Sequence, residues 1–198
     1  EGQTWAMSFH RGEPGLFADT EGPSPESTFE PFVSKSELRA LGSVKKGVTG
    51  TRVRFWPDPQ IFGKKARFAA AELTERARQT AFLVPGLSIH LVDHTGEEVV
   101  NTTFSAAGGL SEFLEFLAPD QPVVGPWHFS GEGQFEETVP VLDATGKLES
   151  QDVVRDTHVD VVVQWGTGYD TVVKSFVNII QTPKGGTHQQ GFDQGLTK

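Results

Sequence analysis

Residues 67–104 read RFAAAELTERARQTAFLVPGLSIHLVDHTGEEVVNTTF. This stretch decides the fold because the spacing of its similar residues changes once, from that of a helix to that of strands. In its first part, residues of one face recur at spacings of three and four: Ala69, Leu73, Ala77, Thr80 and Val84. That spacing predicts an amphipathic helix from about Arg67 to Val84. Pro85-Gly86 then ends the helix, because proline cannot continue it and glycine adopts the left-handed geometry of many helix ends.

Two runs of alternating residues follow the helix, Leu87–Asp93 and Glu97–Phe104. The short linker His94-Thr95-Gly96 between them is typical of a hairpin turn, so we predict two antiparallel strands here. A helix followed directly by a hairpin indicates a domain that mixes helices with strands.

Upstream of this stretch, residues 49–56 read TGTRVRFW and alternate in character, which predicts a strand that Pro57-Asp58-Pro59 ends. Residues 11–48 are rich in Gly, Pro, Ser and Glu and show no sustained period. We therefore expect a long, mostly irregular segment there. Thr4–Phe9, before it, is predicted to be a short strand.

Downstream, the small residues 106–109 interrupt the pattern, and we place a domain boundary there. Ser111 is predicted to cap the next helix, with Phe113, Leu114 and Leu117 facing inward.

Further strands are predicted at Trp127–Phe129 and Phe135–Leu142, and a hairpin is predicted to join Val159–Trp165 to Thr171–Ile180 across Gly166-Thr167-Gly168. Near the end of the sequence, Thr187 and Gln190 have the spacing of a capping box, which predicts a helix start.

The 198 residues include no cysteine, which excludes disulfides, thiolate metal sites and a cysteine nucleophile. A formal charge of -9 opposes polyanions, so we do not expect these residues alone to bind DNA tightly. No apolar run approaches the length that crosses a bilayer, so no membrane partner is expected and the protein is expected to be cytoplasmic.

No complete catalytic signature is present, neither GxxxxGK[ST], GxGxxG after a strand, HExxH nor GxSxG. The six histidines do not stand at metal-ligand spacing, and we expect ordinary surface or hydrogen-bonding roles for them. Taken alone, the turn Gly47–Thr51 is best interpreted as a plain turn. We therefore predict no catalytic residue and no metal ligand in this sequence.

Five segments stand in the order typical of one family. The sequence resembles the ATPase (B) subunits of bacterial type IIA DNA topoisomerases, gyrase B and topoisomerase IV B, in GTRVRFWPDPQIF (50–62), ERARQTAFLVPGLSIHLVD (75–93), GGLSEFLEFL (108–117), QWGTGYDTVVKSFVNII (164–180) and GGTHQQGFDQGLT (185–197). The resemblance covers nearly everything from Thr49 onward and is looser before it. Asp193 departs from the pattern, since relatives often carry a basic residue there.

The resemblance implies an α+β fold. Residues 1–106 would be the C-terminal half of a GHKL-type ATPase sandwich, and 107–198 the first half of a transducer domain with a ribosomal-protein-like α+β fold. By motif match, Thr51 would contact the adenine end of an ATP pocket, and Val53 would line the same pocket. For the turn at Gly47–Thr51, the family match thus favours a nucleotide-binding role.

For the parent protein, the resemblance implies ATP and Mg2+ as cofactors, with DNA and the DNA-cleaving A/C subunit as partners. The family's catalytic glutamate, magnesium-binding asparagine and glycine-rich lid precede the region represented, and its phosphate-contacting glutamine and lysine follow Lys198. These 198 residues alone are therefore expected to bind neither ATP nor Mg2+ tightly, and not to hydrolyse ATP.

We also expect self-association of these residues, because the apolar face of the helix at 67–84 would lack partners and a sheet edge would be open. The alternative hypothesis is a non-catalytic, strand-rich binding or regulatory module derived from that family.

Overall fold

A computed structural model of the protein describes residues 2–19, 23–33, 38–63 and 65–197. The chain divides into two compact units, Glu1–Phe68 and Ala69–Lys198. Helices and strands are mixed in both units, which confirms the α+β class. Among the described residues, no helix is long and apolar enough to cross a membrane.

The first unit contains two small antiparallel sheets and one short helix. Its elements are β1 (Gln3–Ala6), β2 (Ser8–His10), β3 (Glu13–Phe17), β4 (Phe29–Pro31), β5 (Arg39–Ser43) and α1 (Pro59–Phe62). Strand β1 pairs with β5, and β2, β3 and β4 form a three-stranded sheet in that order. The strand predicted at Thr4–Phe9 is thus observed as parts of two strands, β1 and β2.

Most described residues of 11–48 are irregular, as expected, but the segment also contains three strands that were not predicted, β3, β4 and β5. Each of these strands is only three to five residues long. A period-two pattern needs about four to eight residues to be recognised, so strands this short leave no clear pattern. Residues 20–22 and 34–37 of the segment lie outside the described residues.

Gly15 allows β3 and β4 to approach closely. It is buried in β3 and pairs with Pro31 across the sheet. A Cβ added to Gly15 would lie 2.8 Å from Pro31 Cα and 2.6 Å from the ring of Phe29, and still closer to the carbonyl oxygen of Glu30. Real Cβ atoms do not approach backbone atoms so closely, so only glycine fits this position.

The strand predicted at residues 49–56 is not formed. Among the described residues, no backbone hydrogen bond involves residues 49–57. Alternation indicates a strand only where a neighbouring strand supplies hydrogen bonds, and no described strand pairs with this segment. The segment ends where Asp58 caps α1, with its Oδ1 accepting a hydrogen bond from the Gln60 amide at 2.8 Å.

The second unit begins with the elements that residues 67–104 predict, and all three are confirmed. They are helix α2 (Ala70–Leu83) and the antiparallel strands β6 (Ser88–Asp93) and β7 (Val100–Ser105). The turn after β6 is organised by Asp93, whose Oδ1 accepts from the hydroxyl of Thr95 at 2.7 Å and from its amide at 2.8 Å. These hydrogen bonds, first that of the Thr95 hydroxyl, lower the pKa of Asp93.

Helix α3 (Gly109–Leu117) completes the core of this unit. Phe82, Ala106 and Phe113 are its buried residues, and Leu110 and Leu117 pack against them. The inward positions predicted for Phe113 and Leu117 are confirmed, and Leu114 is half-buried.

The cap predicted at Ser111 is wrong. Gly108 holds the N-cap position of α3, and its amide donates to the Glu112 carboxylate at 3.0 Å. The helix therefore starts three residues earlier than predicted, because a glutamate already satisfies one of the free amides at its start.

A long hairpin follows, formed by β8 (Pro122–Leu142) and β9 (Leu148–Gly166). The two strands predicted between 127 and 142 are therefore one. The predicted pairing of Val159–Trp165 with Thr171–Ile180 is wrong: Val159, Val161 and Val163 pair with Gly131, Phe129 and Trp127 of β8.

The chain reverses at Asp143 instead of Gly166-Thr167-Gly168. Asp143 Oδ1 accepts hydrogen bonds from the Thr145 hydroxyl at 2.7 Å and from the amides of Thr145 and Lys147 at 2.8 Å. These bonds, first that of the Thr145 hydroxyl, lower the pKa of Asp143. An aspartate that organises its own turn is a hairpin signal that an interpretation based on glycines misses.

The last elements are the short pair β10 (Phe176–Val177) and β11 (Ile180–Gln181), followed by helix α4 (Thr187–Leu196). The helix is confirmed, but its predicted capping box is wrong. Gly186 is the N-cap, no side chain caps the helix, and the Gln190 amide donates to the carbonyl of Gly186 at 3.0 Å. Thr187 is thus the first helical residue, one position too late to act as the cap.

Candidate functional site

The two residues predicted to contact a nucleotide lie on the irregular segment 49–57 of the first unit. Thr51 and Val53 are both exposed, and Val53 keeps 77% of its surface accessible. The Thr51 hydroxyl makes no hydrogen bond with another described residue. The segment therefore presents one free hydroxyl and one apolar side chain, spaced by two residues.

Aromatic contacts fix the C-terminal part of this segment. Trp56 meets Phe17 of β3 edge-on at 6.3 Å between ring centroids, and Phe55 meets Phe68 at 5.8 Å. Asp58, the cap of α1, forms an ion pair with Arg11 in which Arg11 Nε lies 3.5 Å from Asp58 Oδ2. The position of Thr51 and Val53 is thus set from one side by β3 and by α1.

The N-terminal side of the segment is a tight turn. The amide of Val48 donates to the carbonyl of Lys45 at 3.1 Å, and Gly47 has φ +86°, a conformation that favours glycine. The turn leads from β5 directly to Thr49. The backbone conformation of this turn is by itself sufficient to explain why residue 47 is a glycine.

Two open depressions, of about 230 and 290 Å³, lie among the described residues of the second unit. The first lies beside the core and includes Arg78, Phe104 and Phe116; the second lies between α2 and Gln181. Neither is lined by Thr51 or Val53. The assignment of those two residues to a nucleotide pocket stays a prediction.

Arg78 makes a contact that sequence reasoning missed. Its guanidinium lies 5.8 Å from the ring centroid of Phe104 and 5.2 Å from that of Phe116, and Nη1 donates to Glu75 at 2.9 Å. Helical spacing alone places Arg78 outside the apolar face of α2. The contact with Phe116 depends on the tertiary packing of α3 against α2, which local spacing does not reveal.

Histidines pair with polar neighbours on the long hairpin. His128 Nε2 is hydrogen-bonded to Asp160 Oδ1, and His158 Nε2 lies 3.3 Å from the hydroxyl of Ser130. Elsewhere, His90 Nδ1 lies 2.9 Å from the hydroxyl of Thr103. These contacts agree with the hydrogen-bonding roles expected for the histidines. The described residues contain no group of three His, Asp or Glu side chains placed to hold a metal ion.

Comparison with known proteins gives a consistent result. Residues 109–198 match the family model described as DNA gyrase B. The DNA gyrase B protein of Metamycoplasma arthritidis is 36% identical over 161 residues, which are 81% of this chain and 23% of that protein. The DNA gyrase B protein of Halalkalibacterium halodurans is 30% identical over 200 residues, which cover 100% of this chain and 24% of that protein.

The fold resembles that of a solved structure, the 43K ATPase domain of Thermus thermophilus gyrase B in complex with an aminocoumarin. The TM-score is 0.59 at 24% sequence identity, and the match covers 98% of this chain and 44% of that one. The chain spans about a quarter of the length of the curated relatives that it matches. The resemblance stated from the sequence is confirmed, and the chain is a gyrase B-type polypeptide.

Proposed function

We propose that this chain belongs to the ATP-binding and transducer region of a bacterial type IIA DNA topoisomerase, which couples ATP binding and hydrolysis to DNA strand passage. The observation that carries the proposal is the 36% identity to a DNA gyrase B protein over 81% of the chain. The alternative, a non-catalytic strand-rich module, is not favoured, since the two relatives compared with this chain are both named as gyrase B.

We propose further that residues 1–106 form the C-terminal half of the ATPase domain and residues 107–198 the first half of the transducer. The start of the family match at residue 109 supports a boundary near 106. The compact units divide elsewhere, between Phe68 and Ala69. We therefore propose that residue 106 separates two segments that match different domains of the family. The two segments are still in contact, because Phe82 and Phe113 pack together across the boundary.

The chemistry of Thr51 and Val53 fits the adenine end of ATP. A free hydroxyl can exchange a hydrogen bond with the ring edge, and an exposed valine offers apolar surface to the ring face. Adenine recognition would use both side chains at once, because they stand two residues apart on one segment. A tight turn at Gly47 precedes this segment, and the contacts of Trp56 and Asp58 fix its other end. When bound, ATP would supply the terminal phosphoanhydride bond whose hydrolysis drives the parent enzyme.

The remaining cofactor and partners are proposed for the parent protein alone. The resemblance assigns no Mg2+ ligand and no catalytic residue to positions 1–198, so we derive no metal-dependent step from them. We propose that these residues by themselves do not hydrolyse ATP. DNA and the DNA-cleaving A/C subunit would be partners in the cytoplasm of the bacterium, where the complete enzyme acts.

The role of Thr51 can be tested in the complete reading frame that contains these residues. Thr51→Ala is expected to raise the Kd for ATP by up to about tenfold, since one net hydrogen bond is worth about 0.5–1.5 kcal/mol. Calorimetry with a non-hydrolysable ATP analogue measures this directly. The matched control is Thr49→Ala, two residues away on the same segment, which should leave the affinity unchanged; equal effects of both variants would contradict the assignment.

We also propose self-association of the 198-residue polypeptide, but through a different surface from the apolar face of the helix at 67–84. Ala81 and Phe82 of α2 are buried, so that helix has found partners in its own unit. The long hairpin instead exposes apolar side chains, among them Trp127, Phe129, Phe135 and Val159. A ribbon about 50 Å long and about 10 Å wide would bury roughly 1,000 Å² in a face-to-face pair, near the minimum for a specific interface.

Light scattering as a function of concentration tests this association. Phe129→Glu should shift the polypeptide toward the monomer, because a buried unpaired carboxylate opposes association. Ser130→Glu is the matched control, since the neighbouring residue of a strand points to the opposite face. A monomeric wild-type polypeptide at high concentration would refute the proposal.

A further inference from the structure

The acidic chain contains one strongly basic stretch. Residues 39–57, the basic strip, hold no acid and five basic residues: Arg39, Lys45, Lys46, Arg52 and Arg54. The strip therefore carries a formal charge of +5 in a chain of -9. Such local asymmetry is a feature of surfaces that bind polyanions, and a chain-wide net charge conceals it.

The charges of the strip are available to a ligand. The basic side chains described in the strip are all exposed. Asp58, the first acid after the strip, already forms an ion pair with Arg11 and accepts a hydrogen bond from the Gln60 amide. Arg52 and Arg54 form neither an ion pair nor a hydrogen bond with another described residue. No described acid therefore neutralises the middle of the strip.

Arg54 is held over an aromatic ring. Its guanidinium carbon lies 4.9 Å from the ring centroid of Trp56, and Trp56 is itself fixed against Phe17 at 6.3 Å. A guanidinium held over an aromatic ring can still direct N–H groups to a ligand, and these groups bind phosphate oxygens in pairs. A side chain ordered in this way loses less conformational entropy when it binds.

We propose that the basic strip is a surface that binds the phosphate backbone of duplex DNA, with Arg52 and Arg54 at its centre. The inference rests on the proposed function, in which a DNA duplex is the molecule handled by the parent enzyme. The exposed cations contact phosphates without reading bases, so binding is independent of sequence and sensitive to salt. In the sequence the two arginines alternate with Thr51 and Val53, so one segment carries both the phosphate contacts and the predicted nucleotide contacts.

The test measures binding of the 198-residue chain to a fluorescent DNA duplex of mixed sequence between about 25 and about 200 mM salt. Each lost phosphate contact lowers the slope of log K against log salt by about 1, so Arg52→Gln/Arg54→Gln should lower it by about 2. At the lowest salt the affinity should fall by at least about tenfold. Arg52→Lys/Arg54→Lys keeps the charge and should retain most of the slope.

Lys147→Gln is the matched control, since Lys147 is an exposed cation in the turn of the long hairpin, outside the strip. Its slope and affinity should equal those of the wild type. The proposal is overturned if the double glutamine variant keeps the wild-type slope, if Lys147→Gln has an equal effect, or if the wild type does not bind the duplex at low salt. It is equally overturned if only single-stranded DNA binds. None of these outcomes depends on ATP, so they are separate from the Thr51→Ala test.

Discussion

Replacement of Phe113 by alanine is expected to destabilise the second compact unit by about 3–5 kcal/mol, the usual cost of removing a buried aromatic ring. Phe113 is only 5% exposed and stacks on Phe82 with ring centroids 4.9 Å apart; its ring also lies 6.0 Å from that of Phe176. The described core has few buried residues, so neighbouring side chains have little means to fill the cavity.

Urea denaturation followed by circular dichroism measures this change, with hydrogen exchange in α2 and α3 as a local readout. Phe135→Ala is the control, because Phe135 is 51% exposed on the long hairpin and its loss should cost about 1 kcal/mol or less. If the two variants were equally stable, the core assigned to Phe82, Ala106 and Phe113 would be incorrect.

Gly15→Ala is expected to be the most damaging single change in the first unit, at about 1–3 kcal/mol. The added methyl group would meet the backbone of Glu30 and Pro31, and backbone atoms cannot turn aside as the end of a side chain can. Strands β3 and β4 would have to separate, and the pair has only three residues in register.

Hydrogen exchange can locate that damage. Two amides flank the contact, with Phe32 donating to the Pro14 carbonyl at 3.0 Å and Ala18 to the Thr28 carbonyl at 2.8 Å. Both should lose protection in the variant. Gly42→Ala supplies a matched control in β5, where an added Cβ meets no atom within 4 Å. Unchanged protection at Phe32 and Ala18 in Gly15→Ala would show that the close approach is not needed for pairing.

The elements that could be predicted from the sequence are those whose pattern is long and whose partners are near in the chain. Helix α2 has fourteen residues, and the hairpin β6–β7 is closed by a short turn directly after it. Periodicity determines such elements almost alone. The pairing predicted for Val159–Trp165 is wrong because Gly166-Thr167-Gly168 has the composition of a turn, whereas the actual turn is organised by Asp143 and pairs the strand with β8.

The candidate site was only partly accessible to the same reasoning. Thr51 and Val53 were named from family resemblance, and residues 49–56 alternate without forming a strand because pairing depends on distant residues. The basic strip was overlooked for a different reason. Summing charge over 198 residues gives -9, and that sum hides a local excess of cations between 39 and 57.

The stacked rings of Phe82 and Phe113 have a mechanical consequence. They lie on either side of the boundary proposed at residue 106, yet both belong to one hydrophobic core. Close-packed interiors transmit displacement and do not absorb it. This contact therefore couples the two proposed modules, so that a tilt of α2 is expected to move α3 and the adjoining end of the long hairpin with it.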